Sequence, residues 1–253
     1  MEPALHIRPV CVAVIPCLNE SGSIGPLVSS IARELRSDSL PTAEPPSRPE
    51  ARLAVIVIDD GSNDDTARLA AAAGAQILRH PQTKGKGAAL NTGLQQARRL
   101  GFAWALTMDG DGQHAPTDIP AFLRCAQRTG AELVVGNRMD QCQRMPWVRR
   151  QVNRWMSRRL SRLAGRALPD SQCGFRLINL AAWSSFRFDA QYFEIESEML
   201  LQFAAGGRQV EFVPVEVIYN TRQSRIKPWR DTRRWFRWLH QWKNAKPTGS
   251  RTC

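Results

Sequence analysis

Three short apolar runs constrain this chain more than anything else in it: VCVAVI (10–15), LAVIVI (53–58) and WALTM (104–108), each stopping abruptly at polar residues. A run apolar at nearly every position and too short for an ordinary helix needs cover on both faces, which is the condition of a strand inside a parallel sheet. Between the runs the period changes. Ile24, Leu27, Val28, Ile31 and Leu35 fall on one face of a helix, with Ser21 or Ser23 placed to cap it. DDTARLAAAAG (64–74) predicts a second helix, capped by Ser62 or Asn63 and closed by Gly74, with Asp64 and Asp65 suited to the positive end of its dipole. Further strands are expected at about 76–78 and 132–136, and a helix at about 88–100. Pro16 reads as the turn that ends the first strand. This alternation predicts an α/β fold with a mostly parallel central sheet and helices on both faces. The 253 residues fit one such domain, and residues 37–50, with four Pro and no periodicity, read as a surface insertion within it.

Sheets of this kind bind ligands outside the carboxyl ends of their strands. There the sequence sets Asn19-Glu20, Asp59-Asp60 and Asp109-Gly110-Asp111. If 109–111 is extended, both of its carboxylates face one hard cation, and Gly110 lets a ligand approach the backbone. Mg²⁺ or Mn²⁺ takes oxygen ligands and shares them with substrate phosphates. Gln113 offers a further oxygen, and His114 an imidazole.

The net charge of +12 is concentrated. Residues 144–166 carry eight Arg and no acid, and residues 222–243 carry six Arg and two Lys against Asp231, so the rest of the chain is net acidic. Within the first segment Val148, Val152, Trp155, Met156, Leu160 and Leu163 recur at helical spacing; near the C-terminus Trp235, Trp238, Leu239 and Trp242 do the same. Helices with tryptophan on one face and arginine on the other suit an anionic membrane surface. Nucleic acid is not the expected partner, because strand-end carboxylates repel phosphate unless metal-loaded. No apolar run approaches the length of a membrane span, and the N-terminus lacks the pattern of a signal peptide. The six Cys form no CxxC pair, so reduced thiols and a cytoplasmic place at the inner membrane face are expected.

In order along the chain, IPCLNE (15–20), VIDDGSNDDT (57–66), KGKGAALNTG (84–93), MDGDGQH (108–114), GNR (136–138) and CGFR (173–176) resemble the motifs of family-2 glycosyltransferases of the GT-A fold, a Rossmann-like architecture. FEIESEML (193–200), VEFVPVEVIYN (210–220) and SRIKPWRDT (224–232) are similar to the subgroup holding dolichyl-phosphate mannosyltransferase and bacterial polyprenyl-phosphate sugar transferases. The resemblance implies an inverting, metal-dependent enzyme that moves a sugar from a UDP- or GDP-sugar to a polyprenyl phosphate. It implies a GT-A domain over 1–221 and a basic tail over 222–253. It further implies that Pro16, Asn19, Glu20, Asp59 and Asp60 line the nucleotide pocket, that Lys86 faces the diphosphate, and that Asp109, Asp111 and Gln113 hold Mg²⁺ or Mn²⁺. Arg138 and Arg176 are then placed for an anionic acceptor or the phosphates. Arg222, Ser224 and Arg225 fall in a loop expected to close over the diphosphate, with Arg225 where the family has Lys. Glu196 and Glu198 lie two apart in a helix and cannot share a face, so one of them is expected at the sugar. A same-fold transferase acting on a glycan or other hydroxyl acceptor, and a non-catalytic nucleotide- or nucleic-acid-binding protein, are the competing readings. QVNRW (151–155) matches a motif of processive synthases but precedes the acidic helix it follows there, and is read as coincidence.

Overall fold

The computed structural model describes residues 11–36, 54–139, 145–218 and 228–244. In chain order the elements are β1 (Cys11–Cys17), α1 (Ile24–Arg36), β2 (Val55–Asp59), α2 (Thr66–Ala72), β3 (Gln76–Arg79), α3 (Lys86–Arg99) and β4 (Trp104–Thr107). Next come α4 (Ile119–Thr129), β5 (Leu133–Asn137), α5 (Trp147–Ala164), β6 (Arg176–Asn179), α6 (Leu180–Trp183), α7 (Ile195–Ala205), β7 (Val210–Pro214) and α8 (Pro228–Asn244). The Pro-rich stretch 37–50 and the loop bearing Arg222, Ser224 and Arg225 lie outside the described residues.

Seven strands make one sheet in the order β3-β2-β1-β4-β6-β5-β7. Every neighbouring pair is parallel except those of β6, which runs against both β4 and β5. The apolar runs of β1, β2, β4 and β5 are buried almost throughout, as strands covered on both faces must be. Ile24, Leu27, Val28, Ile31 and Leu35 are the buried stripe of α1, at the spacing expected.

Three local expectations are corrected. Pro16 does not end β1, which continues to Cys17. Ala13 and Cys17 bond towards the β2 side, so Pro16 faces the side on which β4 has already ended, and its missing N–H interrupts no ladder. The second helix begins at Thr66, with Asp65 at its cap, because Ser62 and Asn63 bond across to Asn19 instead. Ser23 likewise gives its hydroxyl to the Gly110 carbonyl at 2.8 Å rather than capping α1, tying the first helix to the acidic turn.

The amphipathic helices also pack differently from their sequence stripes. α5 buries Asn153, Met156, Ser157 and Leu160, leaving Val148, Val152, Trp155 and Leu163 outside. α8 turns Trp235 and Leu239 into the core, and the Trp235 indole donates to Ser197 Oγ of α7 at 2.9 Å. Trp238 and Trp242 pack half-buried against the same core. The tryptophan stripe of the tail therefore faces the protein.

Candidate active site

The carboxyl ends of β1, β2, β4 and β5 open into a cavity of about 490 Å³. Pro16, Asn19, Glu20, Asp60, Lys86, Asp109, Asp111, Gln113 and Arg138 all line it. Asp109 and Asp111 meet there for a reason other than the one expected. Residues 110–112 form a turn rather than an extended strand, with Gly112 at φ +71°, and the turn brings both carboxylates to one wall. Gly110 lines the cavity and is also required by packing, because a Cβ on it would meet Cys17 Sγ at 2.5 Å.

Asp109 Oδ1 lies 2.5 Å from Lys86 Nζ, and the same ammonium lies 2.5 Å from Glu196 Oε1. Burial alone would raise the Asp109 carboxyl, but the Lys86 charge outweighs it and holds the group down at about 2. Burial likewise opposes the charge on Lys86, and the two carboxylates overcome it, so the ammonium stays protonated. Asp111 moves the other way, raised by burial and then by the charge of Asp109. Lys86 thus pairs with Asp109 and Glu196, while Asp111 feels the charges of both Asp109 and Arg149. Burial pushes His114 down to about 4, so beside Asp109 it is a neutral imidazole packed on Phe175. The oxygen donors of Asp109, Asp111 and Gln113, all on the cavity wall, fit a hard divalent cation. Among the described residues no three His, Cys, Asp or Glu side chains converge into a cage, so such a cation would draw the rest of its shell from Gln113, water or a bound ligand.

A model of glycosyl transferase family 2 matches residues 12–185. The chain belongs to glycosyltransferase family 2. Among its relatives is an uncharacterized protein of Methanocaldococcus jannaschii, 28% identical over 211 residues and covering 81% of this chain and 80% of its own length. The UDP-N-acetylglucosamine–dolichyl-phosphate N-acetylglucosaminyltransferase of Methanococcus voltae is 30% identical over 187 residues, covering 65% and 74%. The dodecaprenyl-phosphate galacturonate synthase of Rhizobium johnstonii is 32% identical over 171 residues, 65% of this chain but 46% of that one. Glucosyl-3-phosphoglycerate synthase of Mycobacterium tuberculosis, solved with Mg²⁺ and UDP, superposes over 94% of this chain and 81% of its own, with a TM-score of 0.67 at 21% identity. The fold is GT-A, and the protein is a glycosyltransferase.

Around the acidic wall, the glycosyltransferase builds its site from residues whose parts differ from those the motifs suggest. Asp60 lines the cavity, yet three donors already occupy its carboxylate: the main-chain N–H groups of Lys84 (2.9 Å) and Gly85 (2.8 Å), and His80 Nδ1 at 2.6 Å. It holds the loop that presents Lys86, and His80 braces it. Asp59 is a correction: it is fully buried away from the cavity, accepting from Ser62 N–H at 2.9 Å and facing Arg79 Nε at 3.2 Å. Asn19 takes a left-handed φ of +49°, tolerable for Asn, and clamps the β1 loop to the β2 loop.

Arg176 is corrected as well. It is buried at 1% exposure, and its guanidinium donates to the carbonyls of Cys173, Glu196 and Ser171 at 2.8, 2.7 and 3.2 Å. It ties β6 to α7 and does not reach the cavity. Arg138 does reach it, gripped by Asp170 through Nε at 2.7 Å and Nη2 at 2.9 Å. The two acids of α7 separate as their spacing requires. Glu196 meets Lys86, while Glu198 accepts the main-chain N–H groups of Asp189 and Ala190 and is structural.

Asp170 and Gly174 are the residues that motif reading missed. A Cβ on Gly174 would stand 2.9 Å from Asp109 Oδ1 and 3.0 Å from Lys86 Nζ, so this glycine makes room for the ion pair. Gly85 and Gly87 are set by close approach too: Gly87 and Ala88 donate to the Gln191 carbonyl, and a side chain on either glycine would strike residues 190–192. The cavity mouth carries Arg149 from the first turn of α5 and Arg230 from the first turn of α8.

Proposed function

We propose that this enzyme is an inverting, metal-dependent transferase that moves a sugar from a nucleotide-diphosphate sugar to a polyprenyl phosphate at an anionic membrane surface. The observation that carries the reading is the meeting of Asp109, Asp111, Lys86 and Arg138 in one cavity. A phosphate monoester is anionic near neutral pH, so its oxygen attacks the anomeric carbon while the bond to the diphosphate breaks and the electron pair leaves with the diphosphate. No general base is required, and Glu196, held by Lys86, is not free to be one; that favours a phosphate acceptor over a hydroxyl. Asp109 and Asp111, with Gln113, would hold Mg²⁺ or Mn²⁺, which supplies charge stabilisation to the departing diphosphate. Lys86 is set in advance for the same developing charge. Arg149 and Arg230 offer guanidinium groups to phosphate oxygens, and Arg138, held by Asp170 through Nε and Nη2, offers its remaining N–H groups from deeper in the cavity. Direct displacement inverts the anomeric centre.

Named relatives that act on dolichyl and dodecaprenyl phosphate support the lipid acceptor. The surface supports it too. Trp147 and Val148, each 66% exposed, join Val152 and Trp155 on the outer face of α5, and Phe236 of α8 packs on Trp155 with ring centroids 5.3 Å apart. Exposed Arg154, Arg158, Arg159 and Arg237 lie on the same two helices, each worth ~1 kcal/mol near anionic lipid. No helix among the described residues is long and apolar enough to cross a membrane. The membrane contact is therefore assigned to this patch instead of to Trp235, Trp238 and Trp242.

The test is a panel of UDP- and GDP-sugars incubated with polyprenyl phosphate and Mg²⁺ or Mn²⁺, with the lipid analysed by mass. One donor is expected to add one sugar to the lipid, and chelation to abolish the gain. Transfer to a hydroxyl acceptor with none to the lipid overturns the proposal.

A further inference from the structure

The Lys86 ammonium occupies a carboxylate that a bound divalent cation would need. It lies 2.5 Å from Asp109 Oδ1, in a pocket where the lysine side chain keeps 14% of its exposure. Its main chain cannot retreat: Gly85 N–H is bound to Asp60 Oδ2 at 2.8 Å, and Gly87 N–H to the Gln191 carbonyl at 2.8 Å. Only the flexible side chain can move. It also has somewhere to remain, because Glu196 Oε1 lies 2.5 Å from Nζ on the other side and is 5% exposed. An ammonium leaving Asp109 therefore keeps a buried counter-charge, and the cost of stranding a buried ion is avoided.

We propose that Lys86 is a built-in stand-in for the divalent cation, occupying Asp109 in the empty enzyme and giving it up when cation and nucleotide diphosphate arrive together. This rests on the metal-dependent reading above. A divalent ion arriving alone must displace the ammonium from Asp109 and then sit beside it, two adjacent positive groups in one pocket. The diphosphate supplies the negative charge that lets both stay: it completes the cation's shell and takes the ammonium. Metal and nucleotide are thereby coupled through one side chain, each weak alone and tight together. Glu196 is the positioning residue that makes the exchange reversible, holding Lys86 near the diphosphate.

Mn²⁺ affinity, read from the loss of the free-ion paramagnetic resonance signal on the whole chain with and without UDP, tests this with no turnover. The wild type is expected to bind Mn²⁺ alone weakly and at least about tenfold tighter with UDP, a coupling of about 1.4 kcal/mol. Lys86→Met is expected to bind Mn²⁺ alone at least about tenfold tighter than wild type and to lose most of the dependence on UDP. Glu196→Gln removes the second anchor, so Lys86 holds Asp109 harder and Mn²⁺ alone binds more weakly. The double variant Lys86→Met/Glu196→Gln does not strand Glu196 as a buried charge, and so separates release of Asp109 from recruitment of Glu196. It is expected to bind Mn²⁺ as tightly as Lys86→Met does. Wild-type affinity for Mn²⁺ alone in the folded double variant, checked by circular dichroism, overturns the stand-in role while the metal reading stands. Absence of Mn²⁺ binding in every protein, even with UDP, refutes the metal-dependent function and this inference with it.

Discussion

Replacing Asp170 with Asn tests how Arg138 is delivered to the cavity. Asp170 Oδ2 accepts from Arg138 N–H at 3.1 Å and Nε at 2.7 Å, and Oδ1 from Nη2 at 2.9 Å and from Gln172 N–H at 3.1 Å. The carboxylate is fully buried and Arg138 nearly so, each side chain at most 7% exposed. Asparagine keeps the shape but offers one acceptor oxygen, so whichever way it turns, its NH₂ faces N–H donors and the guanidinium loses its counter-charge. Removing one partner of a buried pair costs about 3–5 kcal/mol. Because the substitution keeps part of the hydrogen bonding, the lower end, about 3 kcal/mol, is expected. At about 2–4 °C per kcal/mol for a chain of this size, the melting temperature falls by about 6–12 °C. Urea unfolding measures the free energy directly. The pH dependence supplies a sign. Burial opposes the Asp170 charge, but Arg138 outweighs it and holds the carboxyl below its ordinary value. Its contribution is thus complete above the unfolded carboxylate pKa of about 3.9 and is lost as pH falls through the lower folded value. The gap between wild type and Asp170→Asn is expected to be flat from about pH 5 to 8 and to close on further acidification. A double-mutant cycle with Arg138→Met is expected to show strong non-additivity. A gap under about 1 kcal/mol at pH 7, against the 3 expected, or a gap that widens in acid, would refute the reasoning.

Asp111→Ala is expected to abolish sugar transfer with an unchanged circular dichroism spectrum, since Asp111 sits in a half-exposed turn; an active variant contradicts its assignment to the cation. Trp155→Ala with Phe236→Ala is expected to cut flotation with anionic liposomes several-fold without loss of melting temperature, and unimpaired flotation removes that patch from the membrane contact. Trp235→Ala acts differently: with 2% exposure and an indole bonded to Ser197, it is expected to cost about 3–5 kcal/mol in urea unfolding. Gly174→Ala places a methyl about 3 Å from the Asp109–Lys86 pair. A loss of kcat/KM on the order of 10²-fold with near-native stability is expected, because a misplacement of about 1 Å at a reacting site costs that much.

The acidic rim was legible because each of its parts is local. Asn19-Glu20, Asp60 and Asp109-Gly110-Asp111 come directly after apolar strands, and parallel strands bring their trailing residues to one edge of the sheet. Asp59 was misread because it is the last residue of β2: one position separates the residue that turns under the sheet from Asp60, which faces the cavity. Arg176 was misread because a motif position says nothing of whether three carbonyls wait for a guanidinium. β6 and β7 escaped the periodicity reading, β6 because four residues beginning with Arg make too short a run, and β7 because its edge position leaves it half-buried.

By itself the chain's sequence determined the α/β architecture, the strand-end rim that lines the cavity, and the family, because strand burial, helix period and strand-end chemistry are properties of neighbouring residues. The tertiary structure alone decided which charges meet. Lys86 with Glu196 joins positions 110 residues apart, Arg138 with Asp170 joins positions 32 apart, and the faces of α5 and α8 that stay outside depend on what the other covers. A charge's partner is chosen by distance in space within a low-dielectric interior, and no spacing along the chain encodes that distance.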